Sequence, residues 1–284
     1  MITVTGGTGF VGRHLVTRLL ARGEQVRVLA RRHAEIPGAD TRLGDVRDQA
    51  SVVAAARGSE AVVHLVGIIR ERGGSSFQQV HVEGTRTVVR ACKEAGVARL
   101  IHMSALGARP GATSRYHRSK WEAEELVRRS ELAATVFRPS VIFGEGNTFL
   151  PELRRLVKWP VVPIVGSGMG LLQPIWIEDV VSCFVGALGG PATIGRTYEL
   201  GGPQTYGFEQ LVEMVAEAAG LEMPKLHLPV ALARMAAALG RLLPNFPLTA
   251  DQIKMLLEDN VCDIGEMCEV FGIRPAFLRD HLTD

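Results

Sequence analysis

The chain has 284 residues, a length that suits one large α/β unit or two domains of ordinary size. Apolar residues make up 46% of it and charged residues 22%, which excludes a disordered or fibrous protein. Lysine and arginine exceed aspartate and glutamate by only two, with no basic block, so we expect no nucleic-acid partner.

The first two-thirds of the chain alternates short β-branched runs with longer segments of helical periodicity. Strands are predicted at residues 2–5, 26–29, 41–44, 61–66, 99–103 and 135–137, and helices at 12–22, 48–57, 77–95 and 114–130. Strands that are apolar on both faces and separated by helices are typical of a parallel sheet covered on both sides. We therefore predict a Rossmann-type, doubly wound α/β fold.

After Gly144 the pattern changes. A helix is predicted at 147–157, then a loop-rich passage, a helix at 178–188, a strand at 197–200 and three helical segments from Phe208 onward. We predict that residues 1–144 form a dinucleotide-binding domain to which 174–202 return. Residues 145–173 and 203–284 would form a smaller, mostly helical lobe for substrate binding or docking. Within it, the apolar stretch 228–243 is either a buried helix or a helix on a membrane surface.

A glycine-rich segment lies between the first predicted strand and the first predicted helix. Gly6, Gly9 and Gly12 are spaced as G-x-x-G-x-x-G. A diphosphate must approach backbone N–H groups closely, which a Cβ would block, and the helix points its positive end at the anion. A plain tight turn is the alternative in a chain with 31 glycines. The position between strand and helix favours a dinucleotide site formed by Gly6, Thr8, Gly9, Phe10, Val11 and Gly12.

The end of the second predicted strand distinguishes NADP(H) from NAD(H). A site for NAD(H) carries an acidic residue there, about 20 residues beyond the glycines, to hold the ribose 2′-hydroxyl. Here Ala30 is followed by Arg31 and Arg32, and a guanidinium suits a 2′-phosphate. We predict NADP(H) as the cofactor, with NAD(H) and two solvated arginines as the alternative.

Further cofactor contacts are predicted after the third and fourth strands. Asp45 and Val46 would bring a carboxylate and a backbone amide to the adenine, and Val66 and Gly67 would let a ribose approach the backbone. Ligands of open α/β sheets bind outside the carboxyl ends of the strands. Each pair taken alone is equally typical of an ordinary turn.

Tyr116 and Lys120 are four residues apart and so share one face of a predicted helix. A tyrosine has an unperturbed pKa of about 10. A nearby cation is expected to lower that pKa, which makes proton exchange with a substrate hydroxyl feasible near neutrality. Ser104, just after the fifth strand, would hold the same substrate oxygen. The alternative is a surface Tyr–Lys pair and a serine that simply ends a strand.

Taken in order, these segments resemble the extended or atypical short-chain dehydrogenase/reductase superfamily, over residues 1 to about 202. The other segments that carry the resemblance are His64-Leu65-Val66-Gly67, Val82-Glu83-Gly84-Thr85, the run 138–144 and the run 174–180. The resemblance implies that Tyr116 is the acid/base and that Lys120 lowers its pKa and binds the nicotinamide ribose. It also implies that Pro139, Val141 and Ile142 line the nicotinamide.

Three departures from the superfamily pattern indicate which branch of the superfamily the sequence resembles. His81 stands where the superfamily often has asparagine, and Ala105 follows Ser104 where a second hydroxyl is common. Only 12 residues separate Ser104 from Tyr116, fewer than in sugar-modifying members. The shorter form is similar to the branch related to the 39-kDa accessory subunit of respiratory complex I. Members of that branch can hold NADPH without known turnover.

We therefore expect an NADP(H)-dependent oxidoreductase acting on a carbonyl, hydroxyl or quinone-like small molecule. One alternative is a non-catalytic NADPH-holding accessory or assembly subunit of a membrane respiratory complex, docked through the C-terminal lobe. A nucleotide-sugar epimerase or dehydratase is the other. An apolar substrate is indicated if Phe143, Phe149, Leu172 and Trp176 face the cleft.

The remaining polar residues predict no metal site. Cys92, Cys183, Cys262 and Cys268 form no C-x-x-C pair, and the Glu178-Asp179 pair is interpreted as complementing a helix dipole. His81 and His102 are candidate relay residues, although we expect His102 to be a core-strand histidine bonded to a neighbour. The chain opens without a basic and then apolar leader, which predicts a cytoplasmic location, with peripheral contact at the inner face of a membrane as an alternative.

Overall fold

A computed structural model describes residues 1–240 and 249–282 of the chain. Its strands are β1 (Ile2–Thr5), β2 (Val26–Ala30), β3 (Asp40–Leu43), β4 (Ala61–His64), β5 (Arg99–Met103), β6 (Ala133–Pro139), β7 (Ile142–Phe143), β8 (Val162–Val165), β9 (Leu171–Leu172), β10 (Ile175–Trp176), β11 (Thr197–Leu200), β12 (Tyr206–Gly207) and β13 (Lys225–Leu228). Seven of these form one parallel sheet in the order β3-β2-β1-β4-β5-β6-β11. The predicted doubly wound α/β fold is confirmed.

Ten α-helices connect and cover the strands within the described residues. They are α1 (Phe10–Ala21), α2 (Gln49–Ala56), α3 (Gly84–Ala95), α4 (Arg115–Arg128), α5 (Phe149–Leu156), α6 (Ile177–Gly189), α7 (Phe208–Ala218), α8 (Val230–Gly240), α9 (Ala250–Leu256) and α10 (Gly265–Phe271). A π-helical segment, Gln78–Glu83, leads directly into α3, and short 3₁₀ turns lie at Pro191–Thr193 and Leu278–His281.

The sheet is buried because both of its faces are apolar. On one face Leu15 of α1 and Phe184 of α6 pack in one core with Val4 of β1. On the other face the helices α2, α3 and α4 supply a second core, in which Val53 and Val88 take part. Since all seven strands are parallel, their carboxyl ends meet along one edge that no crossover helix covers. The candidate site residues lie along that edge.

The part of the chain after β7 adds a third core and four short paired strands. Phe143, Leu153, Ile164 and Leu211 belong to this core. Strand β8 pairs with β13 and β9 with β12, although none of these four strands is predicted from the sequence. The reason is that runs of two to four residues carry no periodicity of their own and that each partner lies 34 or more residues away.

Helix α8 covers most of the apolar stretch predicted at 228–243, whose last three residues lie outside the described residues. Ala233 and Ala237 of α8 pack against Ile253 of α9, while Leu232 and Met235 are exposed. Within residues 1–240 and 249–282 there is no helix with the length and apolar character needed to traverse a bilayer.

Candidate active site

The turn between β1 and α1 presents bare backbone at the start of a helix. Gly6 has a φ of +81°, and the Gly9 N–H donates to the Gly6 carbonyl oxygen at 3.0 Å. A Cβ at Gly12 would lie 2.1 Å from that same oxygen, so the first helical turn packs on the glycine turn only without a side chain there. Thr8 and Gly9 are exposed, and no side chain of the described residues caps α1 at Gly9. The first N–H groups of the helix are therefore open to an anion.

The other residues predicted in this turn contribute differently. Val11 is buried in the core under the sheet, and Phe10 is half-buried with its ring centroid 5.6 Å from that of His14. Their backbone N–H groups belong to the first turn of α1, so a bound anion would meet their main chain rather than their side chains.

Arg31 and Arg32 follow the carboxyl end of β2 and are both exposed. Asp45, after β3, accepts two bonds from the Arg47 guanidinium, at 2.8 and 3.0 Å. The Arg47 side chain holds the pKa of Asp45 below its usual range, and the nearby charge of Arg31 acts in the same direction. Asp45 is thus an ionised and already paired carboxylate. Val46 beside it is buried.

The end of β4 touches both the glycine turn and α4. A Cβ on Gly6 would lie 3.1 Å from the Val66 nitrogen, and one on Gly67 would lie 3.0 Å from the Lys120 Nζ. Val66 is half-buried and Gly67 is exposed. The backbone of 66–67 therefore lies between the candidate diphosphate cradle and the lysine.

Lys120 is buried, with 3% of its surface exposed, and its Nζ donates to the Met103 carbonyl oxygen at 3.1 Å. Burial lowers the pKa of Lys120 to about 8, against a smaller opposing effect of Glu124. The ammonium group is therefore held between Gly67 and the end of β5, one residue before Ser104.

The Tyr116 ring is half-buried among three aromatic rings that it meets at steep angles. The ring centroids of Phe77, His81 and His117 lie 5.8, 5.5 and 5.3 Å away. Burial raises the pKa of Tyr116 to about 12. The expectation that the lysine lowers this pKa is wrong for the protein alone, because burial of the phenol raises the pKa and the Lys120 ammonium group is directed at the Met103 carbonyl oxygen.

Ser104 is 3% exposed, and its Oγ has no hydrogen-bond partner among the described residues. Its backbone N–H donates to the Phe137 carbonyl oxygen at 2.7 Å, which fixes the residue at the carboxyl edge of the sheet. Buried hydroxyls in proteins are almost always paired, so an unpaired one beside a buried lysine suits a ligand oxygen.

The predicted nicotinamide segment begins at the carboxyl end of β6, beside β5 in the sheet. Pro139 is buried and its carbonyl oxygen accepts from Leu106, while the Val141 carbonyl oxygen accepts from Ile175 at 2.9 Å. Ile142 pairs with Ile175 between β7 and β10. These contacts place the segment at the same sheet edge as Ser104.

The apolar residues expected to face the cleft lie elsewhere. Phe143 and Leu172 are buried in the third core, and Phe149 packs against it. Trp176 is half-buried and stacks on His281, with ring centroids 3.8 Å apart. The expectation that these residues form a cleft wall is therefore wrong for Phe143 and Leu172, whose side chains fill the lobe instead.

Residues 2–201 match the NAD dependent epimerase/dehydratase family. The chain belongs to this family. The predicted membership of the extended short-chain dehydrogenase/reductase superfamily, to which the family corresponds, is confirmed.

Relatives of this family member include proteins of different kinds. It is 32% identical over 268 residues to "NADH dehydrogenase (ubiquinone) 1 alpha subcomplex subunit 9, mitochondrial" of Arabidopsis thaliana, which covers 88% of this chain and 66% of that protein. It is 34% identical over 191 residues to the ceramide reductase of Caulobacter vibrioides, which covers 65% of this chain and 60% of that protein. The chain spans about two thirds or less of the length of these two relatives.

A solved structure of a nucleoside-diphosphate-sugar epimerase from Staphylococcus aureus superposes with a TM-score of 0.81 at 22% identity, over 100% of this chain and 99% of that one. At 22% identity this similarity shows a shared fold.

Three of the buried histidines near the Tyr–Lys pair are His64, His81 and His102. His81 and His102 are the relay candidates predicted from the sequence, whereas His64 had no predicted role of its own. His64 is bonded on both sides, with Nδ1 2.7 Å from Thr5 Oγ1 and Nε2 3.2 Å from Thr85 Oγ1. His102 lies beside it, ring centroids 5.3 Å apart, but neither of its ring nitrogens has a partner among the described residues. The expectation that a neighbour satisfies His102 is therefore wrong, because the ring beside it is one whose nitrogens are already taken.

Burial keeps these histidines neutral. It lowers the pKa of His64 to about 3 and that of His81 to about 2, and it places the pKa of His102 well below its usual value. His64 and His102 are direct register partners on β4 and β5. Both histidines lie three residues after the first residue of their predicted strands, 61–66 and 99–103, and this is the sequence signal that could have placed them together.

Residues from the C-terminal lobe also reach the candidate site of this family member. Asp251 accepts hydrogen bonds from the Arg115 and Tyr116 N–H groups, at 2.8 and 3.0 Å. Asn260 accepts from Ser140 and donates to the Leu106 carbonyl oxygen, at 2.6 and 3.0 Å. No local pattern marks Asp251 or Asn260, because their partners lie at least 120 residues away.

Proposed function

We propose that this protein binds NADP(H) at the carboxyl edge of its sheet and acts as an oxidoreductase on a carbonyl or hydroxyl group of a small molecule. The observation that carries the proposal is the unpaired, buried Ser104 hydroxyl beside the buried Lys120, on the same edge as the open glycine turn. A ligand oxygen is the partner that such a hydroxyl lacks.

The residues on this edge fit the parts of the cofactor. The main chain from Gly6 to Gly12, with Thr8, Gly9, Phe10 and Val11, would hold the diphosphate, because a Cβ at Gly12 would fill the space that the turn needs. Arg31 and Arg32 would hold the 2′-phosphate, since no acid stands beside them at the end of β2. The adenine would meet Asp45 and Val46. The second ribose would meet Val66, Gly67 and Lys120, and the nicotinamide would meet Pro139, Val141 and Ile142.

Bound nicotinamide supplies or accepts a hydride. Tyr116 would exchange the proton at the substrate oxygen, and Ser104 would donate a hydrogen bond to that oxygen. Lys120 would hold the ribose and keep a positive charge near the phenol. Because the pKa of Tyr116 is about 12, the phenol carries its proton at neutral pH and suits carbonyl reduction, in which the substrate oxygen must gain a proton.

The surroundings of the phenol support a substrate that is apolar next to its reacting carbon, a class that includes quinones. Phe77 is buried beside Tyr116, and the rings of His81 and His117 complete an aromatic wall. Neutral rings of this kind desolvate a carbonyl group without offering a competing charge.

A second candidate function is supported by the respiratory-complex names of several relatives. In it, NADP(H) is a structural ligand that stabilises the fold by mass action. The protein would then dock on a membrane complex through the C-terminal lobe, where Leu232 and Met235 are exposed on α8. A nucleotide-sugar epimerase or dehydratase activity is a weaker candidate, because only 12 residues separate Ser104 from Tyr116.

The test is oxidation of NADPH by a panel of quinones, ketones and aldehydes, followed through the absorbance of the reduced nicotinamide. We expect turnover with at least one class, and a loss of at least about 100-fold in Tyr116→Phe without weaker NADPH binding. Tyr206→Phe is the matched control, since this buried tyrosine lies in the lobe and bonds only Gln204 among the described residues. No NADPH oxidation with any compound of the panel, together with a melting temperature that NADPH still raises, would favour the structural role instead.

A further inference from the structure

His81 lies between two elements of the candidate site and bonds both of them. It is buried in the π-helical segment before α3. Its Nε2 is 3.0 Å from the backbone nitrogen of Ile68, and its Nδ1 is 2.8 Å from the Ser119 Oγ. Ile68 directly follows Gly67, and Ser119 directly precedes Lys120. The ring therefore connects the turn after β4 to the helix that carries Tyr116 and Lys120.

The direction of each hydrogen bond follows from the donors present. A backbone N–H can only donate, so Nε2 accepts from Ile68 and carries no proton. The proton of a neutral ring is then on Nδ1, which donates to the Ser119 Oγ. The Ser119 hydroxyl in turn donates to the Tyr116 carbonyl oxygen at 2.7 Å. The result is one directed chain of hydrogen bonds, in which the Ile68 N–H donates to His81, His81 donates to Ser119 and Ser119 donates to the Tyr116 carbonyl oxygen.

The turn after β4 is closely packed where this series of hydrogen bonds reaches it. A Cβ on Gly67 would lie 3.0 Å from the Lys120 Nζ and 3.5 Å from the His81 Nε2, so both side chains lie close to the same residue. A change in the His81 contacts would move the Gly67 backbone relative to the lysine. Both groups belong to the surface proposed for the second ribose.

We propose that His81 is a positioning residue, which fixes the turn after β4 against α4 through its neutral Nδ1–H form. The inference rests on the proposed function, because the distance it sets is useful when a nucleotide lies between Gly67 and Lys120. His64 differs in that it bonds two threonine hydroxyls, whose protons adjust to either tautomer, and His102 bonds no described residue. Only His81 of these three has its tautomer dictated by a backbone donor.

The first test reads the tautomer directly in the full-length protein without any cofactor. Nitrogen-15 NMR of histidine-labelled protein distinguishes a ring nitrogen that bears a proton from one that accepts a hydrogen bond. We expect His81 to show a protonated Nδ1 and an acceptor Nε2, unchanged from pH 8 to pH 5. A proton on Nε2, or a second proton gained within this range, would overturn the proposal.

The second test measures whether the chain affects the nucleotide surface. Ser119→Ala removes the link to Tyr116, and Ser130→Ala is its matched control. Ser130 is also buried, and its hydroxyl donates to the carbonyl oxygen three residues earlier, but it lies two residues past the C-terminal end of α4, away from Tyr116 and Lys120. We expect Ser119→Ala to weaken NADPH binding by roughly two- to tenfold and Ser130→Ala to leave it unchanged.

A double-mutant cycle separates a shared chain from two independent contacts. His81→Gln keeps an acceptor near the Nε2 position for Ile68 but places no donor at Nδ1. If the chain is continuous, this variant weakens NADPH binding as Ser119→Ala does, and the double variant is no worse than either single one. Full additivity, or a dissociation constant unchanged in both single variants, would overturn the proposal. A wild-type protein that binds neither dinucleotide would refute the proposed function, and the tautomer measurement, which needs no cofactor, would then still test the hydrogen bonds of His81.

Discussion

Gly12→Ala is the substitution that tests the packing of the cradle most sharply. The new Cβ would lie 2.1 Å from the Gly6 carbonyl oxygen, 2.6 Å from the Gly7 Cα and 2.8 Å from the Gly6 carbonyl carbon. All three atoms belong to the backbone, so no side-chain rotation relieves the contact. The turn and the start of α1 must separate, which changes the N–H groups offered to a diphosphate.

Forcing one extra methyl group into a packed site costs about 1–3 kcal/mol, while alanine gains roughly 0.5–1 kcal/mol over glycine within a helix. We therefore expect a net loss of about 1–2 kcal/mol in the free energy of unfolding, measured by urea denaturation. NADPH binding should weaken by at least about tenfold in calorimetric titrations, since the displaced N–H groups no longer converge on one anion.

Gly189→Ala supplies the control for Gly12→Ala. Gly189 is the last residue of α6, and a Cβ there would meet no atom within 4 Å. This variant should bind NADPH like the wild type and be as stable or slightly more stable. A Gly12→Ala protein with wild-type stability and wild-type NADPH affinity would refute the reasoning about the cradle.

Three further predictions follow from buried or bridging groups. The free energy of unfolding should fall steeply as the pH drops below about 6.5, because His64, His81 and His102 are neutral in the folded protein and take up protons only on unfolding. The three histidines together give a slope that approaches about 4 kcal/mol per pH unit. Urea titrations at pH 7, 6 and 5 should show that His64→Gln removes about a third of this slope. The pKa of Lys120 is about 8 in the folded protein, against an ordinary value of about 10.5 for a lysine in the unfolded chain. The free energy of unfolding of the wild type should therefore gain up to about 3 kcal/mol relative to Lys120→Met as the pH rises from 8 to 10.5. A difference that stays constant over this range would contradict the prediction. Asp251→Asn should lower the free energy of unfolding by about 1–2 kcal/mol, measured by thermal unfolding, because one of the two N–H groups that donate to Asp251 at the start of α4 would then face the amide NH₂ group. Asp263→Asn is the control and should cost less, because the Asp263 carboxylate accepts from Gly265, a residue of its own turn.

The parts of the fold and site that the sequence predicts are those with local signals. Strand β1 and strand β5 have their predicted bounds, since each is a short run with apolar or β-branched residues at its centre and is followed at once by a glycine or a serine. The glycine turn is marked by its spacing, and Tyr116 and Lys120 by their separation on one helix. These signals also suffice for the alternation of strands and helices along the first two-thirds of the chain.

The parts that the sequence does not predict depend on contacts between distant residues or on burial. The paired residues of strands β8 and β13 are 63 positions apart in the chain, and Asp251 bonds the Tyr116 N–H of α4 across 135 positions. The raised pKa of Tyr116 depends on how deeply the phenol is buried, and the charged residues near it in the sequence give no information about burial. His81 is visible in the sequence as a departure from asparagine, but its two partners become visible only when the turn after β4 meets α4.

The central claim is that the glycine turn and the arginine pair together bind NADP(H). Calorimetric titration of NADPH and NADH into the same protein tests it most directly. We predict one site per chain with NADPH bound at least about tenfold more tightly, and a difference that largely disappears in the Arg31→Ala/Arg32→Ala double variant while NADH affinity stays the same. Equal affinity for the two nucleotides in the wild type, or tighter binding of NADH, would contradict the claim.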